Sequence, residues 1–200
     1  MSTTWDPTHW HTGQMTLSNG NLTVTGTGYN SACGIATDPI LGKSIYGLLL
    51  DNTDGNGQVA LGVATKNVIT GDYLGRYADS YGFWPGDENV YHNGAPIEPA
   101  PAAKSNGMKV WVAVDPDLRK FWMRANQGPW LGGVDPDPVT GSGGVIIDFS
   151  GDIYPAIAVT QAGEKATGLF AAAVLEGVPA GFREVNPPAI VSRSRAFILD

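Results

Sequence analysis

The residues able to do chemistry are few, and their spacing argues against most kinds of it. The five glutamates, Glu88, Glu98, Glu164, Glu176 and Glu184, are scattered, with no two of them two or four apart. Glycoside cleavage needs two carboxylates facing each other across the sugar bond, and no such pair is readable. Most aspartates stand in turn sequences such as Asp115-Pro116-Asp117 and Asp135-Pro136-Asp137, where the carboxylate caps nearby backbone N–H groups. His9 and His11 straddle Trp10, so on a strand both rings would share a face and could hold a metal with Asp6. With three histidines and one cysteine in the chain, no further nitrogen or sulfur ligands complete the set, and surface histidines are the better account. The stretch Asn52-Thr53-Asp54-Gly55-Asn56-Gly57 imitates the start of an EF-hand loop, but its twelfth position is Val63, where a bidentate carboxylate is required. The acidic loops at Asp51/Asp54 or Asp135/Asp137 leave calcium binding open, since oxygen-rich loops suit hard cations. Gly55-Asn56-Gly57-Gln58-Val59-Ala60 fits a loose dinucleotide fingerprint, yet a strand follows where a helix N-terminus is needed. No catalytic residue, cofactor or resident metal is expected.

The positive signal is aromatic. Tyr73, Tyr77, Tyr81, Trp84 and Tyr91 are spaced by Gly, Asp, Asn and Pro, so residues 72–93 read as loop-rich. Rigid aromatics with a polar tip supply contact area at low entropic cost. Tyr73, Tyr77, Trp84, Tyr91 and Trp130 are therefore the candidate ligand- or partner-binding residues, with Tyr77 and Trp84 expected to be partly exposed. Cys33, the only cysteine, reads as a small buried apolar group.

The elements that must position these residues are strands. The chain has 200 residues, 42% of them hydrophobic, with 27 glycines and 14 prolines. Val, Ile, Thr and aromatics cluster in short bursts between turn residues, which is an all-β pattern for one domain. Met15 and Leu17, then Leu22 and Val24, flank Asn19-Gly20 and predict an opening hairpin. Strands are expected over 44–50 and 58–65, and near 145–149, 156–160 and 166–172. Pro96, Pro99 and Pro101 confine 95–103 to a sheet edge or a loop. The clearest element is Val110-Trp111-Val112-Ala113-Val114, three valines on one face, turning through Asp115-Pro116-Asp117-Leu118 into Lys120-Phe121-Trp122-Met123-Arg124. Beyond Trp130, residues 131–144 read as a long Gly/Asp/Pro loop.

A net charge of -7 would repel a phosphate backbone, and the Lys and Arg residues form no stripe, so nucleic acid is excluded as a partner. Neither a secretion signal nor an apolar run long enough to span a bilayer is visible, so a soluble chain with no membrane insertion is expected. Residues 185–200 differ in kind. Pro187-Pro188 breaks the chain and Ala196-Phe197-Ile198-Leu199 is apolar. This predicts an extended arm, with Ile190, Phe197, Ile198 and Leu199 adding a strand or an apolar plug to a neighbouring chain, or else a terminal strand in the domain's own sheet.

Several pieces together resemble SPRY (B30.2-like) domains. Lys109-Val110-Trp111-Val112-Ala113-Val114-Asp115 followed by Lys120-Phe121-Trp122-Met123 and Asn126 is similar to the family's central signature. Thr4-Trp5-Asp6-Pro7 with Leu17-Ser18-Asn19-Gly20-Asn21-Leu22 resembles the opening of its bacteriophage and bacterial members. Gly42-Lys43, Leu61-Gly62-Val63-Ala64-Thr65, Ser80-Tyr81-Gly82-Phe83, Tyr91-His92-Asn93-Gly94, Gly151-Asp152-Ile153-Tyr154-Pro155-Ala156 and Pro179-Ala180-Gly181-Phe182 follow in family order. The chain departs after Lys43, where Ser44-Ile45-Tyr46-Gly47-Leu48 lacks the usual Glu, and at Gln127, which lengthens the Asn-Gly turn. The resemblance implies a two-sheet antiparallel β-sandwich of the concanavalin-like jelly-roll kind over residues 1–184, a 185–200 arm, loops that bind partners, no cofactor and no catalysis. It further implies a virion protein of a bacteriophage, part of an oligomeric assembly. As a tail or baseplate receptor-binding part or a capsid decoration protein, it would recognise a host-surface glycan or protein or a neighbouring virion protein. A free-standing lectin-like or protein-interaction adaptor is the alternative, and a polysaccharide-degrading enzyme the third class.

Overall fold

The computed structural model describes residues 2–11, 13–28, 31–52, 59–102 and 105–186. Two seven-stranded antiparallel sheets pack face to face. In spatial order the first sheet holds β1 (Trp5–Trp10), β4 (Ala32–Ala36), β13 (Tyr154–Val159), β6 (Val59–Ala64), β7 (Ser80–Trp84), β8 (Asn89–His92) and β9 (Ala95–Pro99). The second holds β12 (Val145–Ile146), β11 (Lys120–Ala125), β10 (Lys109–Asp115), β5 (Ser44–Asn52), β14 (Lys165–Leu169), β3 (Thr23–Gly26) and β2 (Met15–Ser18).

Alternation along each strand decides what faces the core. Val110, Val112 and Val114 of β10 and Phe121 and Met123 of β11 point inward, as their period-2 spacing predicts. They meet Leu61 and Val63 of β6, Tyr81 and Phe83 of β7 and Ile157 of β13 in one continuous cluster. Burying each such side chain contributes about 1.5–3 kcal/mol. The β10–β11 pair runs in register from Val110↔Ala125 to Asp115↔Lys120. The β2–β3 hairpin turns where Asn19-Gly20 predicts, both residues having positive φ (52° and 63°). Pro7 in β1, and Pro96 and Pro99 in β9, fall on the edge strands of the first sheet, whereas Pro155 sits near the start of the inner strand β13.

The outer faces are covered as well. On the second sheet, Ile45, Trp111, Ala113 and Trp122 lie under Leu169, Phe182, Leu175 and Trp130. The indole N–H of Trp122 donates to the Ser142 carbonyl at 2.8 Å, so the 131–144 loop folds back across β11.

Two expectations are corrected. Residues 72–93 are not loop throughout, because β7 and β8 occupy 80–84 and 89–92. The strand expected over 145–149 is paired only at Val145 and Ile146. Strands β1 and β4 had no alternating signal of their own. Val185 is buried in the main core and its carbonyl accepts the Thr3 hydroxyl at 3.2 Å. The arm residues Ile190, Phe197, Ile198 and Leu199 lie outside the described residues. No helix among the described residues is long and apolar enough to cross a membrane.

Candidate functional site

Outward-facing residues of β13 and β6 are small: Ala156 and Ala158, Ala60 and Ala64. That shallow surface, with Cys33 and Ile35 of β4, admits residues 66–79 as a covering segment, which sinks Val68 and Leu74 onto it. The approach is close enough to require glycine. A Cβ on Gly82 would lie 2.2 Å from the Leu74 carbonyl oxygen, and one on Gly75, at φ +89°, 2.3 Å from that of Tyr91.

The segment's fold-back builds an aromatic groove at one end of the first sheet. Trp84 forms part of the lining, its indole N–H donating to the Leu74 carbonyl at 3.0 Å. Tyr73 meets Trp84 edge-on with centroids 6.3 Å apart, and Tyr91 meets Tyr73 edge-on at 6.1 Å. With Ser31, Asp87 and Thr160 they line a cavity of about 270 Å³. Burial pushes the Tyr91 phenol above its ordinary range, with the charge of Asp87 adding to the effect. A second cavity of about 310 Å³ shares Ser31 and is lined by His11, Gln14, Gly71 and Asp72. There the His11 Nδ1 and Gln14 Oε1 atoms are buried without a hydrogen-bond partner. Together the two cavities offer aromatic walls, hydroxyls and acceptor or acidic groups.

Of the five residues nominated from sequence, Tyr73, Trp84 and Tyr91 are thus brought together. Tyr77 stands apart, 39% exposed as expected, with its hydroxyl donating to Asp72 Oδ2 at 3.1 Å. Trp84 is not partly exposed. At 4% it is buried, because the 66–79 segment covers its sheet face and takes its N–H. Trp130 lies on the other sheet, beneath the Arg124 guanidinium at 4.4 Å from its ring centroid, and faces a different surface. Ser31, Asp87, Thr160, Gln14 and Asp72 carried no sequence signal beyond turn chemistry, and only the fold assembles them.

The other chemical candidates resolve into structure. Among the described residues no three His, Cys, Asp or Glu gather as a metal set. Asp51 accepts the Thr167 hydroxyl at 2.5 Å, and Asp137 caps the Val139 N–H at 2.9 Å and the Thr140 hydroxyl. Asp54 lies outside the described residues. Cys33 is buried, its thiol donating to the Ile69 carbonyl at 3.3 Å.

No protein-family model matches the sequence, and a search of curated proteins returned no match. Solved structures do match. The SPRY domain of human HERC1 aligns with a TM-score of 0.62 at 19% identity, covering 82% of this chain and 96% of that one. The TRIM65 PSpry domain aligns with a TM-score of 0.62 at 14% identity, over 84% of this chain and 91% of that one. Stonustoxin gives 0.57 at 17% identity, over 84% of this chain but 27% of its own. By fold the chain is a SPRY-like domain, a two-sheet all-β sandwich, as the ordered motifs predict.

Proposed function

We propose that the chain is a non-enzymatic binding module that grips a partner protein with the aromatic groove of Tyr73, Trp84 and Tyr91. One observation carries this reading: three aromatic side chains that the sequence nominates separately are gathered into one open cavity beside an exposed carboxylate, Asp87. Tyr73 and Tyr91 supply faces and edges for contact, and Trp84 supports them from below. The buried indole argues against a sugar stacking on Trp84 and favours a protein segment over a glycan as the occupant.

The setting we propose is a bacteriophage particle, where the module serves as a tail, baseplate or decoration part. The opening motif Thr4-Trp5-Asp6-Pro7 with Leu17-Ser18-Asn19-Gly20-Asn21-Leu22 supports that setting by resemblance. Residues 187–200 act in it as the assembly arm. The test is a Tyr73→Ala plus Tyr91→Ala double variant, with Tyr77→Ala as control, assayed for attachment to disrupted particles and to host cells. The double variant is expected to lose at least tenfold in affinity while the control binds normally. Attachment unchanged in the double variant overturns the groove as the contact surface. Full incorporation of a chain lacking residues 187–200 overturns the arm.

A further inference from the structure

The groove's charge and its aromatic lining point to one kind of side chain. Residues 72–98 contain Asp72, Asp79, Asp87, Glu88 and Glu98 against one cation of the Lys/Arg type, Arg76. Asp87 sits exposed at the groove, and among the described residues no Lys or Arg pairs with it. Acidic groups thus outnumber basic ones around a cavity lined by two tyrosine rings. Carboxylates and π-faces are together complementary to a planar cation with several N–H groups.

The molecule already makes this contact once at the groove's margin. The Arg76 guanidinium lies 5.6 Å from the Tyr73 ring centroid, its Nη1 donates to the Tyr73 hydroxyl at 3.4 Å, and its Nε is 3.8 Å from Asp72 Oδ2. Arg76 thereby answers Asp72 and leaves Asp87 and the Tyr91 side of the cavity to an incoming group.

We propose that the groove takes an arginine side chain carried by an extended segment of the partner protein, an assignment that rests on the groove being the contact surface. The guanidinium lies in the cavity lined by the Tyr73 and Tyr91 rings, its N–H groups directed to the Asp87 carboxylate. Arginine suits the slot better than lysine, because a flat, weakly hydrated guanidinium stacks on rings while keeping its edge donors free. The neighbouring segment of peptide supplies further contacts to the Ser31 and Thr160 rim.

The test uses the full chain and a synthetic pentapeptide, acetyl-Gly-Ser-Arg-Ser-Gly-amide, titrated by NMR beside its citrulline counterpart, which keeps the shape and removes the charge. The arginine peptide is expected to shift resonances of Tyr73, Tyr91 and Asp87, and the citrulline peptide to bind at least about tenfold more weakly. Asp87→Asn, on an exposed turn where the fold is not at risk, is expected to cost a similar factor. Equal binding of the two peptides, lost in Tyr73→Ala plus Tyr91→Ala, overturns the arginine assignment and leaves the groove standing. Arginine binding that survives both Asp87→Asn and the tyrosine double variant is diffuse attraction to an acidic surface and also overturns it. So does the absence of binding by either peptide at about 1 mM, in which case the particle-attachment assay still decides the groove independently.

Discussion

Tyr46 reaches across the core from β5 to donate its hydroxyl to the Gly62 carbonyl of β6, 2.5 Å away, and so ties the two sheets together by a single hydrogen bond. The residue is fully buried, its ring stacked at 6.2 Å on Phe170, and burial raises its phenol well above the ordinary range. Tyr46→Phe keeps the packing and strands the Gly62 acceptor. A loss of about 1–3 kcal/mol is expected, read as a lower midpoint in urea with an unchanged slope. A variant as stable as the wild type would show that the bond contributes nothing net.

Cys33 makes stability fall in alkali. Burial, with Asp79 and Asp72 adding, pushes its thiol up to about 12 from 9.0. Because the folded-state value is raised, the unfolded chain is the one that loses a proton as pH climbs past about 9. The contribution is whole below that pH and lost progressively toward 12. Between pH 8 and 10.5 this one group removes about 2 kcal/mol. Cys33→Ala is expected to flatten the pH dependence by that amount in thermal melts. The native thiol should also resist alkylation at pH 8 while the denatured chain reacts.

Trp130 packs against the outer face of the second sheet. Arg124, only 6% exposed, packs on its ring and donates Nη2 to the Glu176 and Gly177 carbonyls at 2.6 and 2.9 Å. Desolvation lowers the guanidinium's proton affinity, while Glu176 nearby opposes this. Arg124→Ala unpairs two carbonyls and exposes the indole, and is expected to cost about 2–3 kcal/mol. Trp130→Ala is expected to lower the melting temperature and leave partner attachment at wild-type strength. Lost attachment in a folded Trp130→Ala protein would move the contact surface to the other sheet.

What the sequence makes legible follows from range. The valine alternation in β10 and the Asn19-Gly20 turn are local signals, and both appear where they predict. Strand β4, Ala-Cys-Gly-Ile-Ala, is buried on both faces, so no polar residue marks its period. Strand β7 hides for a related reason: Gly82, which reads as a loop residue, is there so that Leu74 can lie against the sheet. The same fold-back buries Trp84. It joins residues about ten apart in sequence, and no local pattern contains it. The aromatic types in the groove are therefore readable, whereas their grouping with Ser31, Asp87 and Thr160 depends on four separate connections meeting at one end of the sandwich.

The turn of the β10–β11 pair offers the sharpest test of how that pair is held. Asp115, 1% exposed, accepts the backbone N–H groups of Asp117 and Leu118 at 3.1 and 3.2 Å through Oδ1, while Oδ2 lies 3.1 Å from Lys43 Nζ. Lys43 also stands over the Phe182 ring at 5.7 Å. Removing the lysine alone leaves a buried carboxylate without its cation, whereas Asp115→Asn preserves an acceptor for the turn and removes the charge. Lys43→Met is therefore expected to destabilise by about 2–3 kcal/mol, and adding Asp115→Asn to it should restore part of that loss. Asp115→Ala, which drops both turn bonds as well as the ion pair, should be the most damaging single change, at about 3–4 kcal/mol. Urea melts of the wild type, Lys43→Met, Asp115→Asn and their double variant measure the coupling directly. Additive losses for Lys43→Met and Asp115→Asn would mean that the lysine acts through Phe182 and that the carboxylate serves the turn alone.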